Sequence, residues 1–275
     1  MSDSMVVRYY LVFNILLSQT CFSQQVLSDS LYNRDCQQHI RYYVILPNHY
    51  PKDNCTYKIL YVLHGAWSCP EDYLKKTKLS SYCETHNLIL VLPSSHLQEG
   101  DKKIVNTWYI NSRIHKQIQW QSALRQLDSL LKKQYKVLLK SGVMGLSMGG
   151  YGAVYSAINQ PELFSTVSTL SAVFQLPVQK PIQDQEWLFG EDNLSPEYDL
   201  IHQARRLKGK SIRFLVSCGT EDRFYKDGQN TAMLNALKKS GVKVIADFSP
   251  GTHSWTYWDS ILEKHLQFHD IEQKY

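Results

Sequence analysis

The chain has 275 residues, of which 43% are hydrophobic and 20% charged, with 13 Gly and 9 Pro. That is an ordinary globular composition; it excludes collagen-like, coiled-coil and disordered chains, and the length suits a single α/β domain. The formal charge of +5 is a mild excess spread along the chain and does not mark a nucleic-acid binder. A mean hydropathy of −0.34, with only one short apolar run, excludes a polytopic membrane protein.

That apolar run opens the chain. Asp3 and Arg8 precede Tyr9-Tyr10-Leu11-Val12-Phe13-Asn14-Ile15-Leu16-Leu17, which is too short to span a bilayer. Polar Ser18-Gln19-Thr20 follows, and Cys21 and Ser23 supply the small residues that a signal-peptide cut after Ser23 requires. Residues 1–23 are therefore expected to be a signal peptide, which leaves residues 24–275 as a single domain that is secreted or periplasmic, with no membrane span after signal removal. A buried first strand or helix is the competing reading. A lipoprotein reading through Cys21 fits less well, because Ser18 and Thr20 suit a lipid-attachment box poorly. Of the remaining cysteines (Cys36, Cys55, Cys69, Cys83 and Cys218), no two are spaced CxxC, so neither a zinc ribbon nor a thioredoxin-type redox site is expected. An oxidising compartment would permit one bridge such as Cys36–Cys55 and leave an odd thiol. Cys218 reads as a buried small hydrophobe. Asn54-Cys55-Thr56 is a glycosylation sequon, meaningful only in a eukaryotic host.

Strands and helices then alternate, the pattern of a mostly parallel sheet with helices on both faces. Tyr42–Leu46 reads as an early strand ending at Pro47. Ile59–Leu63 and Leu88–Leu92 are continuous apolar runs, as strands buried on both faces should be. Between them Glu71–Tyr82 is expected to be one helix. The clearest helix is Gln117–Tyr135, in which Ile118, Trp120, Ala123, Leu124, Leu127, Leu130 and Leu131 recur at three- and four-residue steps. Strand Val143-Met144, helix Met148–Asn159 and strand Thr166–Leu170 follow. The stretch 172–207, with Pro177, Pro181 and Pro196, is the least regular and reads as an insertion. Alternation resumes with strand Ile212–Cys218, helix Asn230–Ser240, strand Val242–Phe248 and a last helix after Tyr257. His265 and His269 are expected on the solvent face of that helix.

The segment Val143-Met144-Gly145-Leu146-Ser147-Met148-Gly149-Gly150 carries the most chemical information. A serine with glycine two residues away on each side, between a strand and a helix, is the pattern of a nucleophile elbow. A sharp turn must push the hydroxyl out at the sheet edge, and side chains at 145 and 149 would collide with the neighbouring strand and helix. Serine needs a base to take its proton. His253, in Pro250-Gly251-Thr252-His253-Ser254-Trp255 after the final strand, stands where such a sheet delivers one; His64 reads as part of another element. The base in turn needs a carboxylate, and Gly219-Thr220-Glu221-Asp222 places Asp222 just after a strand, with Glu221 and then Asp227 as competitors. The order Ser147, Asp222, His253 is the order expected of this hydrolase class. The N–H of Met148 is one oxyanion donor by geometry. Leu63-His64-Gly65-Ala66-Trp67, at the end of a central strand, offers a second in the Ala66 N–H.

Walker loops, dinucleotide fingerprints and HExxH are absent, so no cofactor or metal is expected. Arg205-Arg206-Leu207-Lys208-Gly209-Lys210, the densest basic run, reads as a helix C-terminus that favours cations. Trp67, Trp108 and Trp255 could line a carbohydrate-facing cleft.

Together, HGAW, GLSMGGYGA, CGTED and GTHSWTYW resemble the esterase D-like, or "putative esterase", family of α/β-hydrolases over about residues 40–262. That family includes tributyrin, acetyl and feruloyl esterases, S-formylglutathione hydrolases and mycolyltransferases. The resemblance implies an α/β-hydrolase fold with nucleophile Ser147, acid Asp222, base His253 and oxyanion donors Ala66 and Met148. Asn106-Thr107-Trp108-Tyr109 resembles a segment near the acyl site, which adds Trp108 and Tyr109 to Trp67 and Trp255 as expected substrate contacts. Where S-formylglutathione hydrolases usually carry an SGLTC-like segment this chain has HGAW, which together with the expected export signal speaks against a cytosolic glutathione-linked role. The implied activity is that of a secreted serine carboxylesterase acting through an acyl-enzyme on short acyl or aromatic esters of a small molecule or carbohydrate. The alternatives are acyl transfer to a sugar hydroxyl and a non-catalytic binding protein on the same fold.

Overall fold

The computed structural model describes residues 25–52, 55–176, 185–189 and 196–270. Its first half runs β1 (Gln25–Asn33), β2 (Gln38–Leu46), β3 (Lys58–Leu63), α1 (Pro70–Lys76), α2 (Leu79–Cys83) and β4 (Leu88–Pro93). A small hairpin, β5 (Leu97–Glu99) and β6 (Lys102–Ile104), precedes α3 (Trp120–Gln134), β7 (Ser141–Leu146), α4 (Met148–Asn159) and β8 (Phe164–Leu170). The remainder is α5 (Gln185–Phe189), α6 (Leu200–Gln203), β9 (Arg213–Gly219), α7 (Arg223–Lys226), α8 (Gln229–Ser240), β10 (Lys243–Ser249) and α9 (Trp255–Asp270).

Eight strands form one sheet in the order β1-β2-β4-β3-β7-β8-β9-β10. β1 and β2 pair antiparallel, as do β2 and β4; every pairing from β4 to β10 is parallel. The apolar runs explain why the central strands lie inside. Every residue of β3, β4 and β7 is buried, and successive side chains point to opposite faces. Ile59, Tyr61 and Leu63 join a core with α3, α4 and α8, whereas Leu60 and Val62 join a second core with α1, α2 and α9. Helices thus cover both faces, as the alternation predicts.

The structure corrects several expectations. β1 is an additional edge strand whose largely exposed, polar-rich sequence carries little strand signal. Glu71–Tyr82 is two helices, because Thr77 is extended (φ −138, ψ 167). Its hydroxyl donates to the Tyr73 carbonyl and accepts from the Leu79 N–H, offering the backbone an alternative to helical bonds. α3 begins at Trp120 rather than Gln117, because Asn111 and Gln119 pair as a β-bridge and the Ser112 N–H bonds the Ile118 carbonyl. Leu130, assigned to its apolar face, is exposed. Cys36, Cys55, Cys69, Cys83 and Cys218 are all free, so Cys36 and Cys55 form no bridge, while Cys218 is buried as expected. Arg205 and Arg206 lie on a short 3-10 turn, Ala204–Leu207. The signal-peptide segment 1–23, Asn54 of the sequon, and Pro177 and Pro181 of the irregular stretch lie outside the described residues.

His265 and His269 are fully buried rather than solvent-facing. His265 Nε2 lies 3.0 Å from Ser217 Oγ on β9, and the His269 ring bridges Thr166 Oγ1 and Ser168 Oγ on β8, both at 2.8 Å. Lys58 Nζ, at the start of β3, donates to Thr166 Oγ1 (2.8 Å) and to the His269 carbonyl (3.0 Å). The Asp270 carboxylate accepts from the Asn87 N–H (3.1 Å) and lies 3.0 Å from His86 Nδ1. The far end of α9 is thereby tied to three strands and to the turn before β4. Among the described residues no helix is long and apolar enough to cross a membrane.

Candidate active site

Ser147 sits in the turn between β7 and α4 with φ 52 and ψ −117, a conformation that non-glycine residues rarely hold. The surroundings over-determine it. Its N–H donates to the Leu170 carbonyl at 2.9 Å, and its carbonyl accepts from Gly150 and Tyr151 at 3.0 and 3.2 Å. The flanking glycines are required by close approach: a Cβ on Gly145 would stand 2.1 Å from the Gly149 carbonyl oxygen, and one on Gly149 would stand 2.1 Å from the Leu63 carbonyl oxygen. The start of α4 is thus pressed against the end of β3, as the crowding argument predicts.

The loop after β10 brings His253 to this turn. Its Nε2 lies 3.1 Å from Ser147 Oγ, and its Nδ1 lies 2.7 Å from Asp222 Oδ2. Asp222 follows β9, is buried, and caps α7 by accepting the Phe224 N–H on Oδ1 at 2.9 Å. Burial alone would raise its carboxyl, but the hydrogen bond and charge of His253, with the Phe224 N–H, outweigh that and hold it below the usual carboxylate range. An ionised acceptor at Nδ1 places the imidazole proton there and leaves the Nε2 lone pair facing the serine hydroxyl. Glu221 and Asp227 are exposed, and Asp227 instead accepts from the Gln229 N–H. The rings of Phe224 and Trp258 meet the imidazole edge-on at 5.2 and 4.9 Å and fix its plane.

Across the site runs the loop from His64 to Trp67. A Cβ on Gly65 would stand 3.5 Å from the Ser147 Cβ, so this backbone passes directly over the serine. His64 frames the loop, a part that the sequence reading did not assign to it. The Ser95 N–H donates to His64 Nε2 at 3.1 Å; Nδ1 must then carry the proton, which it donates to the Gly65 carbonyl at 2.9 Å. Burial pushes the His64 imidazole down to about 4, which keeps it neutral. In a trans peptide the C=O and the following N–H point in opposite directions, so holding the Gly65 carbonyl aims the Ala66 N–H the other way. Among the described residues neither the Ala66 N–H nor the Met148 N–H meets a protein acceptor.

The expected substrate contacts divide into two groups. Trp67 is 62% exposed, and Trp255 is half-buried between Tyr73, Trp258 and the Lys76 ammonium. Trp108 and Tyr109 have no exposed surface, so Trp108 does not line an open cleft and neither ring stands with Trp67 at the surface. Trp108 packs edge-on against Tyr151 and Phe189, and the Tyr109 hydroxyl donates to the His64 carbonyl at 2.8 Å. Both are large apolar rings that fill the core behind the loop. His64 and Ser95 are framing residues whose only local signal is the HG pair after a strand; Asn106, whose Oδ1 accepts the Trp67 N–H at 2.9 Å, is signalled by its place at the head of the segment that resembles one near the acyl site. Among the described residues no cluster of His, Cys, Asp and Glu could hold a metal ion.

Comparison with known proteins agrees with this architecture. Fluorophosphonate-binding serine hydrolase F of Staphylococcus aureus aligns over 90% of this chain and 99% of its own, with 21% identity and a TM-score of 0.76. An S-formylglutathione hydrolase of Agrobacterium tumefaciens aligns over 92% and 96%, with 17% identity and a TM-score of 0.76. A ferulic acid esterase aligns over 90% and 98%, with 22% identity and a TM-score of 0.70. At such identities these likenesses establish the shared α/β-hydrolase fold. The family model described as "Putative esterase" matches residues 34–269. The chain therefore belongs to that esterase family and is a serine-dependent carboxylic ester hydrolase.

Proposed function

We propose that Ser147, His253 and Asp222 form the catalytic triad of this esterase, with the Met148 and Ala66 N–H groups as the oxyanion hole. The observation that carries the reading is the single imidazole within hydrogen-bond distance of both a strained serine and a buried carboxylate. Ser147 Oγ attacks the ester carbonyl while its proton passes to His253 Nε2. Asp222 holds the Nδ1 proton and stabilises the imidazolium. The carbonyl oxygen, now an oxyanion, receives two N–H bonds, each worth about 3 kcal/mol in the transition state. The tetrahedral adduct collapses as the leaving alcohol takes the proton back from His253, giving an acyl-serine. Water, deprotonated by the same nitrogen, then releases the acid.

The exposed Trp67 ring at the rim supports short acyl or aromatic esters, including those borne on carbohydrate, and the N-terminal sequence supports export. A Ser147→Ala variant is expected to keep its fold and lose hydrolysis of p-nitrophenyl acetate together with fluorophosphonate labelling. Retained turnover would eliminate the assignment. A rate profile over acyl lengths and feruloylated sugars, with added sugar acceptors, fixes substrate preference and separates hydrolysis from acyl transfer.

A further inference from the structure

We propose that Asn106 is a positioning residue for the reaction: it holds the peptide that joins the oxyanion donor Ala66 to the exposed ring of Trp67. The inference rests on the assignment of Ala66 as a donor. Asn106 is fully buried, and its Oδ1 accepts the Trp67 N–H at 2.9 Å. Trp67 has a φ of +54, in the left-handed region that a bulky aromatic residue does not hold without outside support.

The rest of the loop shows why this one bond matters. Upstream, the Tyr109 hydroxyl holds the His64 carbonyl (2.8 Å) and His64 Nδ1–H holds the Gly65 carbonyl (2.9 Å). Downstream, His96 Nε2–H donates to the Ser68 carbonyl at 3.0 Å, and Asp72 Oδ2 accepts the Cys69 N–H at 3.3 Å. Between these anchors lies the Ala66–Trp67 peptide, which Asn106 holds. Ala66 therefore has one fixed peptide on each side, the first held by an imidazole and the second by an amide. Removing the amide acceptor takes away the hydrogen bond that holds the Trp67 N–H, and relaxation of Trp67 toward negative φ would move the preceding peptide with it. A donor displaced by a fraction of an ångström from a developing oxyanion costs rate without affecting the binding of the neutral ester. The same bond fixes the Trp67 ring at the rim, so a group stacked on that ring and the reacting carbonyl are held by one rigid segment.

The test uses Asn106→Leu, which keeps the volume and removes the acceptor, and Asn106→Ala. Each is expected to lower kcat on p-nitrophenyl acetate about 10- to 100-fold per active site with KM nearly unchanged. Active sites are counted by exhaustive fluorophosphonate titration. The inhibition constant of a trifluoromethyl ketone, whose adduct oxygen occupies the oxyanion site, should rise by the same factor. A lowered melting temperature with unchanged kcat per titrated site would reduce Asn106 to a packing residue and overturn the proposal. If neither variant accumulates, the wild type decides. Its Trp67 amide should be protected from hydrogen exchange, and exchange at the rate of an open amide would overturn the proposal. Turnover surviving in Ser147→Ala removes the underlying assignment; its loss there, with full activity in Asn106→Leu, removes only this inference.

Discussion

Replacing Asp222 by asparagine should invert the hydrogen-bond polarity of the whole site while barely changing its shape. The side chain serves two fixed neighbours: Oδ1 accepts the Phe224 N–H at 2.9 Å, and Oδ2 faces His253 Nδ1 at 2.7 Å. Asparagine has one acceptor and one donor for these two places. The Phe224 N–H is a backbone donor that cannot change, so the amide oxygen must stay opposite it and the NH2 group must face the imidazole. At 2.7 Å two N–H donors cannot meet, and Nδ1 becomes an acceptor. The imidazole proton then moves to Nε2, which lies 3.1 Å from Ser147 Oγ and now donates where it must accept. Loss of the base in its working tautomer, with the oxyanion donors intact, is expected to cost about 10³- to 10⁴-fold in kcat, or about 4–5.5 kcal/mol on the barrier. KM and the melting temperature should change little. The assay is steady-state hydrolysis of p-nitrophenyl acetate from pH 6 to 9, normalised to folded enzyme. A kcat within tenfold of wild type would refute the tautomer argument, since no other described carboxylate bonds to Nδ1.

Two further predictions concern stability. His64 and His265 are pushed by burial to about 4 and about 3, and burial carries His269 well below the usual range. Each is neutral in folded and unfolded chains above about pH 6.5, so nothing is lost there; below it the unfolded chain binds protons that the folded one refuses, and stability falls until pH reaches the folded values. Together the three should remove up to about 5 kcal/mol between pH 7 and pH 5, read as a fall in the urea midpoint; an unchanged midpoint would contradict their burial as neutral groups. Gly149→Ala would drive a methyl group to within 2.1 Å of the Leu63 carbonyl oxygen, backbone against backbone. It should cost about 3 kcal/mol or more and lower activity with it, whereas wild-type stability would show that the elbow is looser than its geometry implies.

What could be read from the chain was what its local sequence determines by itself. β3 and β4 announce themselves because Ile59–Leu63 and Leu88–Leu92, buried on both faces, are continuous apolar runs, and α4 runs over Met148–Asn159 as its glycine entry and following proline indicate. Ser147, Asp222 and His253 were legible because each follows a strand closely, and a parallel sheet brings its strand ends to one edge. Long-range partners were not legible. His265 and His269 look like surface residues of an amphipathic helix until Ser217, Thr166 and Ser168 appear opposite them. Trp108 and Tyr109 are expected to touch substrate because sequence does not show that Tyr151, Phe189 and the His64 carbonyl enclose them. Thr77 breaks a helix through its own hydroxyl, which apolar periodicity does not register. Asn106 reaches across 39 positions to the Trp67 amide, a partner that the resemblance of its own segment does not reveal.

The fastening of α9 has a consequence for when activity can begin. The loop carrying His253 enters this helix within two residues, and the far half of the helix is secured by bonds to Lys58, Thr166, Ser168, Ser217, His86 and Asn87. During synthesis every other part of the catalytic apparatus emerges first and waits. A nascent polypeptide ending before about residue 270 would hold the serine and the carboxylate in a nearly complete scaffold with no proton acceptor secured between them. Hydrolytic competence would then arrive all at once, when the last turn of α9 leaves the ribosome and docks.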